Sequence, residues 1–195
     1  MNAHHVATWD APEGFFVFRT SWDDESWVRE VVERLAPADE RTKRLTQQLE
    51  DFVILSRLDP DEVIHVAGTG AGRWGSPELF CTGRIATGPL VDLDEVAASW
   101  EADLAAPVAV EPVVVPSPGR RAPGVSARVV YRHRGRDGVE RYRERGVALV
   151  NHRSHACSVK AEFTTWDMSP FDDIGAFALE SARALTLEEV RSVDA

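Results

Sequence analysis

Cysteine is scarce in this chain. Cys81 and Cys157 are the only two in 195 residues. Each lies inside an alternating segment, which excludes a disulfide framework and favours buried thiols in a reducing compartment. No apolar run approaches the ~18 residues of a membrane-spanning helix. The opening stretch MNAHHVATWDAPEG lacks the basic-then-apolar order of a signal peptide. Positive charge is in deficit: 22 Lys and Arg against 32 Asp and Glu give a formal net charge of -10, which opposes general affinity for nucleic acid or an anionic membrane. The signatures of common enzymes are also missing, with no G-x-S-x-G, no phosphate-binding Walker loop, no H-E-x-x-H and no paired aspartates. The expectation is a cytoplasmic protein with no membrane segment and no assigned catalysis.

What is present is enough for one substantial core. Residues 14–186 are expected to form a single α+β domain, flanked by a flexible N-terminus over 1–13 and a flexible tail over 187–195. GFFVFRT reads as a strand. SWDDESWVREVVERLA follows as a helix with Ser21 as candidate N-cap and Trp27, Val28, Val31, Val32 and Leu35 on one stripe. A second helix is expected from about 38 to 56, through Leu45, Leu49, Phe52 and Val53. EVIHVAG and PELFCTGRIAT read as antiparallel partners. Asp92 then caps a third helix through Leu93, Val96, Ala97, Trp100 and Leu104. VAVEPVVV suits an edge strand, because Pro112 cannot donate to a ladder. Pro170 at a first helical position, with an acid soon after, predicts a closing helix that buries Phe171, Ile174, Phe177, Ala178 and Leu185.

Between them lies the stretch from Gly124 to Thr165, which reads as three antiparallel strands. Asp137-Gly138 is a strong hairpin signal, since both central residues of a type I′ turn need positive φ. Two-residue turns there and at His152-Arg153 set a register. It puts Val125, Ala127, Val129, Tyr131 and His133 on one apolar face with Tyr142, Glu144, Gly146, Ala148 and Val150, and with His155, Cys157, Val159, Ala161 and Phe163. The other face then carries Arg128, Arg132, Arg134, Arg141, Arg143 and Arg145, with Arg132 opposite Arg143 and Arg134 opposite Arg141. Facing like charges are unfavourable across a ladder, and arginine forks suit carboxylates. Arg132, Arg134, Arg141, Arg143 and Arg145 are therefore the candidate partner-binding residues, for an acidic protein segment ahead of nucleic acid.

The element order from about Leu45 to Leu185 resembles the PsbP-type α/β/α sandwich, in particular its actinobacterial LpqN-like members. The likeness rests on LEDFVILSRLDPDEVIHVAG, on the segment APGVSARVVY, on a strand ending in Phe163-Thr164-Thr165, and on FDDIGAFALESARAL. It implies a domain that binds other proteins and has no catalytic residues to transfer. The alternative is the helix-grip, or START-like, fold, which implies a small-molecule cavity under the closing helix.

Other constellations are weaker. Gly70 to Gly75 fits G-x-G-x-x-G after a strand, but a dinucleotide site needs a helix immediately afterwards. An alternating strand follows instead. His152, His155 and Cys157 fall short of the four ligands of structural zinc. Tyr131, His133, Tyr142 and Glu144 could do acid–base work, or could form a polar rim. No cofactor and no metal is expected.

Overall fold

A computed structural model describes residues 4–19, 22–35, 42–60, 63–71, 77–104, 113–117, 122–134, 140–167 and 170–190. In chain order the elements are β1 (His4–Thr8), β2 (Phe15–Phe18), α1 (Asp24–Leu35), α2 (Thr42–Ser56), β3 (Ile64–Ala71), β4 (Pro77–Pro89), α3 (Leu93–Leu104), β5 (Val113–Ser117), β6 (Gly124–Arg134), β7 (Glu140–His152), β8 (Cys157–Thr165), α4 (Ile174–Arg183) and β9 (Thr186–Val190). The protein is α+β, with helices packed on antiparallel sheet. The chain divides into two compact units, Ala11–Arg84 and the remainder, and β4 passes from one to the other.

In the unit Ala11–Arg84 the strand order is β2-β3-β4. Alternation along β2 and β3 aims Phe18 and Ala67 at the stripes of α1 and α2, where they meet Trp27, Val28, Val31, Leu45, Leu49, Phe52 and Val53. Helix α1 starts because the Asp23 carboxylate accepts the Ser26 amide at 3.3 Å, with Asp24 and Glu25 in the positive first turn. Asp23 therefore takes the capping place expected of Ser21, which lies outside the described residues. The buried Trp27 ring donates through Nε1 to the Val17 carbonyl at 2.6 Å, which ties the helix to the strand beneath it.

In the other unit the order is β4-β8-β7-β6-β5, beside a separate β1-β9 pair. Of the tails expected to be flexible over 1–13 and 187–195, the described parts include two strands, while 1–3 and 191–195 lie outside the described residues. His4–Thr8 pairs antiparallel with Thr186–Val190, and Trp9 is buried against Phe163 and Phe177 with centroids 6.0 and 6.4 Å away. Two short strands of weak individual pattern found each other across the whole chain, a pairing that no local periodicity encodes. β5 takes the edge, a place that suits Pro116 within it; Pro112 lies outside the described residues. Helix α3 is capped by Asp92, whose Oδ1 accepts the Asp94 and Glu95 amides at 2.9 and 3.2 Å. Helix α4 begins later than Pro170 suggested. Asp173 is its N-cap, accepting from Gly175 and Ala176 at 2.8 and 3.1 Å, so Phe171 lies ahead of the helix. No described helix is long and apolar enough to cross a membrane.

Candidate functional site

The candidate site rests on the β6-β7-β8 meander, and its register differs from the one expected. Arg134 pairs with Glu140, where a two-residue Asp137-Gly138 turn would set Arg134 opposite Arg141; the turn itself lies outside the described residues. The shift is one residue, enough to move one strand's side chains to the opposite face. Val129 lies beside Arg145, Arg132 beside Tyr142, and Arg134 beside Glu140; Gly146 lies beside Arg128 and Phe163. At the second turn His152 pairs with Cys157 across a short 3-10 helix, Arg153–His155, closed by Ala156 at φ 51°. His155 is therefore in the turn, and Val159 faces Val150 rather than Gly146.

The apolar pattern misled because both faces of β6 are covered near its start. From one side comes α4: its Leu179 reaches Gly124, and a Cβ on Gly146 would stand 2.2 Å from the Ile174 carbonyl oxygen. On the other side Val125, Ala127 and Val129 are buried, and α3 packs against β5 and β6. Asn151 on that side is held by Val91, donating to its carbonyl at 2.8 Å. A strand buried on both faces has no polar side to set its register. The close seat of α4 on Gly146 also weighs against a ligand cavity at that point of the helix-grip alternative.

The six arginines expected on one face accordingly divide. Register positions of one parity, on the α4 side, go to Arg128, Arg132 and Arg134. Those of the other go to Arg141, Arg143 and Arg145. Arg128 meets its counter-charge at once, donating from Nε to Glu144 at 3.2 Å while Glu144 is only 2% exposed. Glu144 is thus the buried partner of an arginine and not a neighbour of Tyr131 and His133. On the α3 side, Tyr131 and Arg143 are direct partners, and the guanidinium lies over the ring at 5.6 Å. Arg145 and Lys160 converge on Glu162 at 2.9 and 3.5 Å. Burial pushes the Glu162 carboxyl up, but the bonds and charges of Arg145 and Lys160 outweigh it and hold its pKa below the usual carboxylate value. Arg145 is pulled down by burial and raised further by Glu162 and Tyr131, for a net upward shift. Its Nε is shielded from solvent and lacks a hydrogen-bond partner among the described residues.

The remaining sequence candidates separate. Gly70 and Ala71 end β3, and Pro77 opens strand β4 rather than a helix N-terminus; 72–76 lie outside the described residues. His152 Nε2 is 2.9 Å from the Ala182 carbonyl, and His155 Nδ1 is 3.0 Å from the Ser154 hydroxyl. Cys157 is buried, which raises its thiol pKa. Among the described residues no group of three or more His, Cys, Asp or Glu is placed to hold a metal.

Two features escaped the sequence reading. His65 is 2% exposed between Phe18 and Phe52, with Nε2 3.8 Å from Asp59, which in turn pairs with Arg84 at 2.6 Å. The only signal was a histidine inside an apolar strand. The second is an open groove of about 710 Å³ between α1 and α2, which depends on how two helices meet and has no sequence motif. The molecule is thus an α+β protein with arginines and a tyrosine together on one strand surface. Comparison with protein-family models, curated proteins and solved structures finds no match.

Proposed function

We propose that this protein is a non-catalytic interaction module that receives an acidic segment of a protein partner on the α3 side of the meander. The observation that carries this reading is one strand face on which Arg143 lies over the Tyr131 ring while Arg145 and Lys160 share the single carboxylate of Glu162, on a chain whose net charge is -10. Local positive charge against an acidic background steers an acidic partner to one place. Arg143 is exposed, and planar guanidinium groups suit carboxylates. Arg141 joins by register parity, whereas Arg132 and Arg134, at positions of the other parity, drop out of the proposed site. The PsbP-like element order supports a binding role as part of the same proposal. So does a cytoplasmic setting, which suits two buried cysteines outside any disulfide.

The test is anisotropy of a labelled oligoglutamate peptide against wild type and an Arg143→Glu/Lys160→Glu variant, at low and moderate salt. Arg145 is left intact because it holds Glu162. Exposed ion pairs contribute about 0.2–1 kcal/mol each, so reversing two charges should weaken binding by roughly tenfold or more. Undiminished binding by a folded variant would sink the reading.

A further inference from the structure

The groove between α1 and α2 lies in the other unit and is not used by the proposed function. Its floor is apolar: Val28 and Val53 are buried, Val32 is half-buried, and Ile54 is 59% exposed. Beyond Ile54, Leu55 near the end of α2 is 65% exposed and Leu58, in the turn that follows, 83%. Large aliphatic side chains left open at a helix end and in the turn after it are unlike the polar outer face that an amphipathic surface helix normally shows. The walls are acidic. Asp24, Glu25, Glu33 and Glu50 line the groove against Arg29 and Arg57, and Arg57 is already paired with Asp24. Four carboxylates against two guanidinium groups leave an acidic excess beside the apolar floor.

We infer that this groove docks an amphipathic helical segment of another protein, apolar on one face and lysine- or arginine-rich along its flanks. The shape supports a helix, because a trough between two helices accepts a third by the ordinary ridge-and-groove packing of helices. The charge selects the partner's sign. A second copy of this chain would set the same acidic walls against themselves in a two-fold contact, and an anionic lipid surface would meet the same repulsion. A basic flank relieves Glu25, Glu33 and Glu50 while its apolar face covers Ile54. This surface and the arginine surface therefore select partners of opposite charge.

The experiment uses the full chain and a labelled synthetic peptide of about 14 residues, roughly the length of the groove helices. The peptide carries Leu at i, i+3, i+4 and i+7 and Lys on the flanking positions. A control keeps the Leu pattern with Glu in place of Lys. The Lys peptide should bind wild type at least tenfold more tightly than the Glu peptide. Glu33→Lys/Glu50→Lys should reverse that preference, and Ile54→Lys should weaken the Lys peptide severalfold. All three substituted side chains are exposed, so the variants should keep the wild-type circular dichroism. Should the charge-reversal variant fail to fold, Ile54→Lys together with the two-peptide comparison still decides. The Arg143→Glu/Lys160→Glu variant should bind the Lys peptide as wild type does, so failure of the arginine reading leaves this test intact. No binding of the Lys peptide, no preference between peptides, or an unchanged preference in the charge-reversal variant would overturn the inference. So would a wild-type dimer abolished by Ile54→Lys, or capture by anionic vesicles in preference to the Lys peptide.

Discussion

His65 sits where a titrating side chain has few options. Burial lowers its pKa below the ordinary 6.5; the nearby Asp59 charge acts upward and Arg84 downward, and the net shift is down. The folded protein therefore holds this imidazole neutral between Phe18 and Phe52, while the unfolded chain protonates it at its ordinary value. A base with a depressed folded pKa contributes stability that is complete above the unfolded pKa. That contribution is lost as pH falls from 6.5 toward the folded value. Thermal unfolding midpoints measured from neutral pH downward should fall below about 6.5 more steeply in wild type than in His65→Phe. Parallel curves would show that His65 does not carry the acid sensitivity.

Among the elements, the decisive contact is the first turn of α4 on β7. Gly146 lets the helix backbone rest directly on the strand, with the Ile174 carbonyl carbon 2.6 Å and the Gly175 amide nitrogen 3.0 Å from where a Cβ would stand. These are main-chain atoms of a capped helix and cannot rotate aside. Gly146→Ala should therefore destabilise by about 3 kcal/mol or more, at the upper end of overpacking costs. Gly88→Ala is the matched control, since its added Cβ would meet only the Ser158 hydroxyl at an ordinary 3.7 Å. Chemical denaturation of both variants checks this; equal small losses would mean that α4 can shift. The meander also explains why a one-residue slip was invisible in the sequence. With α4 and α3 on opposite sides, Val125, Ala127 and Val129 satisfy one face while Ala148, Val150 and Val159 satisfy the other.

For the molecule as a whole, both cysteines are buried thiols outside any disulfide, and burial raises the Cys157 pKa. A protonated thiol out of solvent is a poor nucleophile. Neither should react with a thiol reagent in the native state, and two equivalents should react on unfolding. Rapid native labelling of one site would show that its strand opens without global unfolding. The net charge of -10 is likewise a whole-chain property with a local exception at Arg143, Arg145 and Lys160, so salt should weaken capture of an acidic peptide there.

Most of the elements are legible in the amino-acid order alone. Apolar spacing marked α1, α2 and α3, with Asp92 as a cap, and proline sent β5 to an edge. Those signals are local, set by helical or strand period and by backbone chemistry within a few residues. Only the tertiary structure decided which strand residues face each other, that β1 pairs with β9 from the far end of the chain, and that Arg128 answers to a buried Glu144. It also decided that the arginines separate onto two faces. Strand register is fixed by what covers each face and by loop length, and a strand that is apolar on both sides carries no record of either.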